Sequence, residues 1–194
     1  RVSRLELQRD LNSLYATGWF SGLAIEPEDT TLGVKLLVKV QPNPVFKGVE
    51  IVPKNSLLTE KTIQEIFSRD YGKTLNLNSL NLRINKLKAW YTDRGYSLAR
   101  ITGPSRITPK GIVQLKVQEG IISDIDFVFL NDEGNSIKDN GKPVRGKTRD
   151  WVISRQLLSK PGATFNRNIL EKDIKRLYGL GFFSDIKVTL KPIP

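Results

Sequence analysis

The feature that most constrains this chain is internal repetition. Three times, a helical stretch ends in an apolar-x-x-apolar-Tyr step, meets a glycine-aromatic turn and runs into short alternating strands. Leu11, Leu14, Tyr15 and then Gly18-Trp19-Phe20 overlay Leu87, Trp90, Tyr91 and Gly95-Tyr96, and again Ile174, Leu177, Tyr178 and Gly181-Phe182-Phe183. Two further strings keep the register: Gly72-Lys73-Thr74-Leu75-Asn76 matches Gly162-Ala163-Thr164-Phe165-Asn166, and Val38-Lys39-Val40-Gln41 matches Leu115-Lys116-Val117-Gln118. The turn glycines lie 77 and 86 residues apart. Solenoid repeats run to about 20–50 residues, so each copy here is long enough to be a small domain with its own core.

Periodicity assigns the elements inside a copy. Leu80, Ile84, Leu87 and Tyr91 fall at i, i+4, i+7 and i+11, one stripe of an amphipathic helix. The stripe recurs as Leu7, Leu11, Leu14, Tyr15 and as Leu170, Ile174, Leu177, Tyr178, so the aromatic at the helix end reads as core. Asn78 or Ser79 is placed to cap the second helix and Asn168 the third. Strands are expected at Leu23 to Glu26 with Val34 to Val40, and at Leu98 to Ile101 with Ile112 to Val117. A further apolar strand opens each later copy, at Val45 to Val52 and Ile121 to Leu130, followed by a shorter helix at Glu60 to Ser68 and Asp150 to Leu158. The complete unit is strand, helix, helix, strand, strand. Its fold class is α+β: tandem small βααββ domains, two helices packed on a three-stranded mixed sheet, with the first and last domains incomplete. The divisions are 1–43, 44–118 and 119–194, the last carrying an extended loop at 131–150 and lacking its final strand. The joints Gln41-Pro42-Asn43-Pro44 and Gln118-Glu119-Gly120 are too short for free tumbling. Asn131 to Asp150, with Gly134, Gly141, Gly146 and Pro143 among mixed charges, reads as a mobile loop, or alternatively as a contact with a partner.

Composition removes most site chemistry. With Cys and His both at zero, zinc, haem and iron–sulfur sites, thiol nucleophiles and histidine bases lose their usual groups, and no metal or cofactor site is expected. No GxSxG, SxxK, Walker or GxGxxG string is present, so no catalytic residue is assigned and the chain reads as a non-enzyme. No apolar run approaches the ~20 residues of a membrane helix. The absence of a signal peptide, with no methionine in 194 residues, suggests an excerpt of a longer precursor.

Charge is uneven along the chain. Residues 1–44 carry 5 basic and 5 acidic side chains, 45–119 carry 13 and 6, and 120–194 carry 13 and 9. From Lys73 to Lys116 nine basic residues meet one acid, Asp93; Arg83, Lys86, Lys88, Arg94, Arg106 and Lys110 form the candidate basic face. Such a run suits anionic lipid headgroups, acidic polypeptide or nucleic acid, or simply a solvated helix face. No RNP, KH or zinc-knuckle string accompanies it, and the aromatics have a structural explanation, so nucleic acid is not assigned as a partner.

The strand–helix–helix–strand–strand order in ~75 residues, the Tyr-x-x-Gly-aromatic helix exit, and the joint Val117-Gln118-Glu119-Gly120-Ile121-Ile122-Ser123-Asp124-Ile125 together resemble tandem POTRA (polypeptide-transport-associated) domains. Three units and the extended segment of the third are most similar to the cyanobacterial and chloroplast-envelope branch. The first joint departs from the pattern, with Pro42-Asn43-Pro44 in place of Glu-Gly. The resemblance implies a periplasmic arm of an outer-membrane β-barrel assembly or translocation protein, on the periplasmic or intermembrane-space side. Its implied partners are unfolded outer-membrane or translocating polypeptides, its own C-terminal barrel, and periplasmic chaperones or accessory proteins; the basic face adds an anionic lipid surface. It also implies client binding by β-augmentation at the strand after the second helix. That strand maps onto Gly22 to Glu26, Tyr96 to Ile101 and Ser184 to Leu190. The favoured site is Tyr96-Ser97-Leu98-Ala99-Arg100-Ile101, with client side chains in an adjacent groove near Ile84, Leu87 and Tyr91. Two alternatives stay open: a rigid scaffold that recruits partners without binding clients, as a two-partner secretion transporter or a cell-division POTRA protein, and a basic nucleic-acid module.

Overall fold

A computed structural model describes residues 3–31, 33–54 and 57–192. The chain divides into two compact units, Arg1–Trp90 with Arg100–Gln118, and Tyr91–Ala99 with Glu119–Pro194.

The first unit opens with α1 (Arg4–Ala16), closed at its start by a capping box in which Ser3 and Glu6 exchange hydrogen bonds. Then come β1 (Phe20–Thr30) and β2 (Gly33–Pro42), a long antiparallel hairpin. After the first joint lie β3 (Gly48–Val52), α2 (Glu60–Phe67), a 3-10 turn over Ser68–Asp70, and α3 (Leu77–Asp93). The hairpin β4 (Arg100–Ile107) and β5 (Ile112–Gln118) completes the set. The three-stranded sheet has the order β3-β5-β4, with β3 and β5 parallel and β4 and β5 antiparallel, which makes it mixed. That strand order follows from the connections. A hairpin joins β4 to β5 directly, whereas parallel β3 and β5 need the helical crossover that α2 and α3 supply.

The core of this unit draws on both layers. Ile84 and Leu87 from the α3 stripe are buried with Leu80, and so are Val113, Leu115 and Val117 of β5, Ile51 of β3 and Ile101 of β4. Phe46 anchors the far end, edge-on to Phe67 at 6.5 Å and to Tyr71 at 5.0 Å between centroids. Asp70 and Arg83 form a two-point ion pair at 2.7 and 3.2 Å that ties the 3-10 turn to α3.

The second unit carries α4 (Asp150–Ser154) and α5 (Arg167–Gly179). Buried Asp173 of α5 accepts from the backbone N–H groups of Leu158 and Ser159 at 2.6 and 2.9 Å, which holds the chain leaving α4. The strands expected at Ile121 to Leu130 and Ser184 to Leu190 are absent, and only a bridge between Ile121 and Thr164 is formed. The reason is visible in the complete sheet, where both flanking strands pair with central β5; residues 119–192 contain no counterpart of β5. The segment 131–150 forms no helix or strand before Asp150 and carries hydrogen-bonded turns. Gly134 N–H donates to Asn131 O and Gly141 N–H to Lys138 O, while Ile137 bridges Pro143 and Gly146 lies against the Phe129 ring.

Candidate functional site

The expected edge strand starts later than its sequence suggests. Tyr96 to Ala99 form a turn: Ser97 N–H donates to Gly95 O and Ala99 N–H to Tyr96 O, so neither amide is available to a client. Only Arg100 and Ile101 of the expected site lie in β4. Strand β4 is an outer strand of the sheet, and it is interrupted where the register slips between Thr102 and Arg106, leaving Gly103-Pro104-Ser105 as a bulge. A bulge with a proline, which has no N–H to donate, is a common way to blunt an edge.

The backbone direction along β4 follows from the alternation of antiparallel pairs. Thr108 N–H donates to Ile112 O at the hairpin end, so Arg106, Thr102 and Arg100 face Gln114, Lys116 and Gln118 of β5. Ile101, between them, points its N–H and C=O away from the sheet.

The proposed groove is a correction. Ile84, Leu87 and Tyr91 are 4, 0 and 1% exposed; they are core and take no client side chain. Within the basic set, Arg83 is engaged with Asp70, whose carboxyl it holds below the ordinary range by hydrogen bonding. Lys86 and Lys88 are exposed on α3, Arg94 in the helix exit, Arg106 on β4 and Lys110 in the hairpin loop. The charge is spread over several elements.

The joints carry the polar architecture that sequence reading missed. Within the first unit, buried Asn43 donates through Nδ2 to Gly18 O and Leu75 O, both at 2.9 Å. Asn76 Nδ2 donates to Thr17 O at 2.8 Å, Asn78 Nδ2 to Ala16 O at 2.9 Å, and Leu77 N–H to Gly18 O at 2.9 Å. The open carbonyls at the end of α1 are thus satisfied by the start of α3. Asn76 Oδ1 meanwhile accepts from Asn78 and Ser79 N–H, so Asn76, not Asn78 or Ser79, is the N-cap. The second unit repeats the device. Asn166 Nδ2 donates to Arg94 O, Arg167 N–H to Gly95 O, and Asn166, not Asn168, caps α5. Gly95, at φ +87°, sits so close that a Cβ there would lie 2.6 Å from Asn166 Oδ1. At the second joint Glu119 accepts from the Tyr91 hydroxyl at 2.6 Å, and Gly120 lies under Leu98. The signal was present as the shared string ending in Asn76 and Asn166, followed each time by a second asparagine two residues on.

Comparison with known proteins follows the same outline. The family model described as POTRA domain, ShlB-type, matches residues 45–120, and one described as surface antigen variable number repeat, also a POTRA model, matches 136–193. The N-terminal domain of Omp85 from Thermosynechococcus elongatus is 38% identical at a TM-score of 0.87, over 98% of this chain and 78% of that one. POTRA1-3 of the periplasmic domain of Omp85 from Anabaena is 43% identical at 0.85, over 98% and 76%. The chloroplastic outer envelope protein 80 of Arabidopsis thaliana is 29% identical over 96% of this chain. The chain spans about a quarter of that relative, 24% of its length. The chain belongs to the POTRA-domain family, and it is homologous to the Omp85, outer envelope protein 80 and TOC75 proteins.

Proposed function

We propose that this chain is the periplasmic or intermembrane-space arm of an outer-membrane β-barrel insertion or translocation protein, and that it receives unfolded polypeptide by strand addition to β4. The observation that carries the reading is the outward backbone of Ile101 on an outer strand of a mixed sheet. Main-chain bonds there give affinity with little dependence on client sequence. Arg100 and Ile101 remain from the expected site, and Thr102 joins them; Tyr96 to Ala99 do not take part. We read the chain as the C-terminal part of one POTRA domain at 1–43, a second at 44–118 and a third at 119–194. A C-terminal barrel, envelope chaperones and an anionic lipid surface near Lys86 and Lys88 are the further partners of this reading.

The test is titration of the chain with an extended outer-membrane-strand peptide in two N-methylated forms, methylated at odd or at even positions. Strand addition predicts that one form binds like the unmodified peptide and the other at least about tenfold more weakly, since methylation removes donors along one edge only. Equal binding of both forms overturns it. The bulge at Gly103–Ser105 favours a second reading, a scaffold that orients a barrel and recruits partners; there the unmodified peptide does not bind at all.

A further inference from the structure

We propose that the Tyr15 hydroxyl closes the β1 edge to an added strand, because it occupies a backbone group that an incoming chain would need. The inference rests on the strand-addition reading above and says which edge is closed to it.

Counting back from the closing pair Thr30 and Gly33, alternation turns Leu23, Ile25, Pro27 and Asp29 outward. The Leu23 N–H is already taken, donating to the Tyr15 hydroxyl at 2.9 Å, and Pro27 has no N–H. Two of four outward positions therefore offer no donor, and the acidic side chains of Glu26, Glu28 and Asp29 line the same strand. In the second unit Tyr178 makes the same contact at the same spacing of eight residues, its hydroxyl accepting from Ile186 N–H at 3.1 Å, but there the chain forms no strand and Asp185 Oδ1 shares that N–H at 2.9 Å. Both rings are about half exposed, at 46% for Tyr15 and 42% for Tyr178, so core packing does not account for their position.

Strand β4 lacks the device. Tyr15 and Tyr178 stand three residues before their turn glycines, and the residue three before Gly95 is Thr92, which carries no ring. Tyr91 looks like the counterpart in sequence, yet it is buried and its hydroxyl donates to Glu119. Counted back from the turn glycines, Tyr91 stands four residues before Gly95, where Leu14 and Leu177 stand before Gly18 and Gly181, so it is one position away from the place that Tyr15 and Tyr178 hold. The β4 edge that carries outward Ile101 is thus built differently from the β1 edge that Tyr15 occupies.

The experiment uses Tyr15→Phe, which keeps the ring and removes only the hydroxyl. Residue-resolved amide exchange at Leu23 should quicken by about two- to tenfold, the worth of one hydrogen bond. A photo-reactive extended peptide should label β4 in the wild type and β1 around Leu23 only in Tyr15→Phe. Unchanged Leu23 exchange overturns the inference, and so does equal labelling of β1 in both proteins, including none in either. The strand-addition reading itself is scored separately, by labelling around Ile101.

Discussion

Two residue contacts set measurable energies. The Asp70–Arg83 pair is mostly shielded, at 24 and 17% side-chain exposure, and the guanidinium keeps Asp70 ionised below the ordinary carboxylate range. A depressed native pKa contributes stability that is complete above the unfolded value near ~3.9 and lost as pH falls through the lower native value. Arg83→Ala should therefore lower stability by about 1 kcal/mol at neutral pH. In urea titrations across pH its gap from wild type should close on the acid side; a gap that persists with Asp70 protonated would argue against the ion pair. Gly95 and Gly181 make a matched pair, at φ +87° and +68°. An alanine at Gly181 meets nothing within 4 Å and should cost only the left-handed backbone, about 1–2 kcal/mol. Gly95→Ala also drives a methyl into Asn166 and Asn168, so it should cost more, by about 1–3 kcal/mol, in thermal unfolding.

At the scale of elements, each later long helix begins on the exit turn of the helix before it. Asn76→Ala should cost about 1–2 kcal/mol, since it removes the α3 N-cap and a donor to Thr17 O together. Amide exchange should then quicken at Asn78 and Ser79; unchanged exchange there would contradict the cap. Leu87→Ala, at the centre of the core, should cost about 2–5 kcal/mol by equilibrium denaturation. The helical stripes and the β1–β2 and β4–β5 hairpins were legible because burial leaves a period in the sequence. The start of β4 was not, because the turn at Tyr96 to Ala99 is held by backbone bonds that leave no pattern. The groove was misread for a related reason: periodicity finds the Ile84, Leu87, Tyr91 stripe but cannot say that it is already buried. Aligning the copies on their tyrosines hid the extra turn of α3, whereas counting from Asn76 and Asn166 displays it.

For the whole molecule, the repeat carried most of the identification. Three copies of one cassette and a complete strand–helix–helix–strand–strand unit pointed to tandem POTRA domains, and the family matches agree. Repetition also exposes difference: the same fold presents β1 with an occupied edge and β4 with a bulged one. The most direct measurement is residue-resolved amide exchange of the chain with and without a saturating extended client peptide. Slowed exchange centred on Ile101, with the N–H of Leu23 unchanged, is the expected result. Protection confined to α3, or no protection along β4 at saturation, would contradict strand addition and leave the scaffold reading.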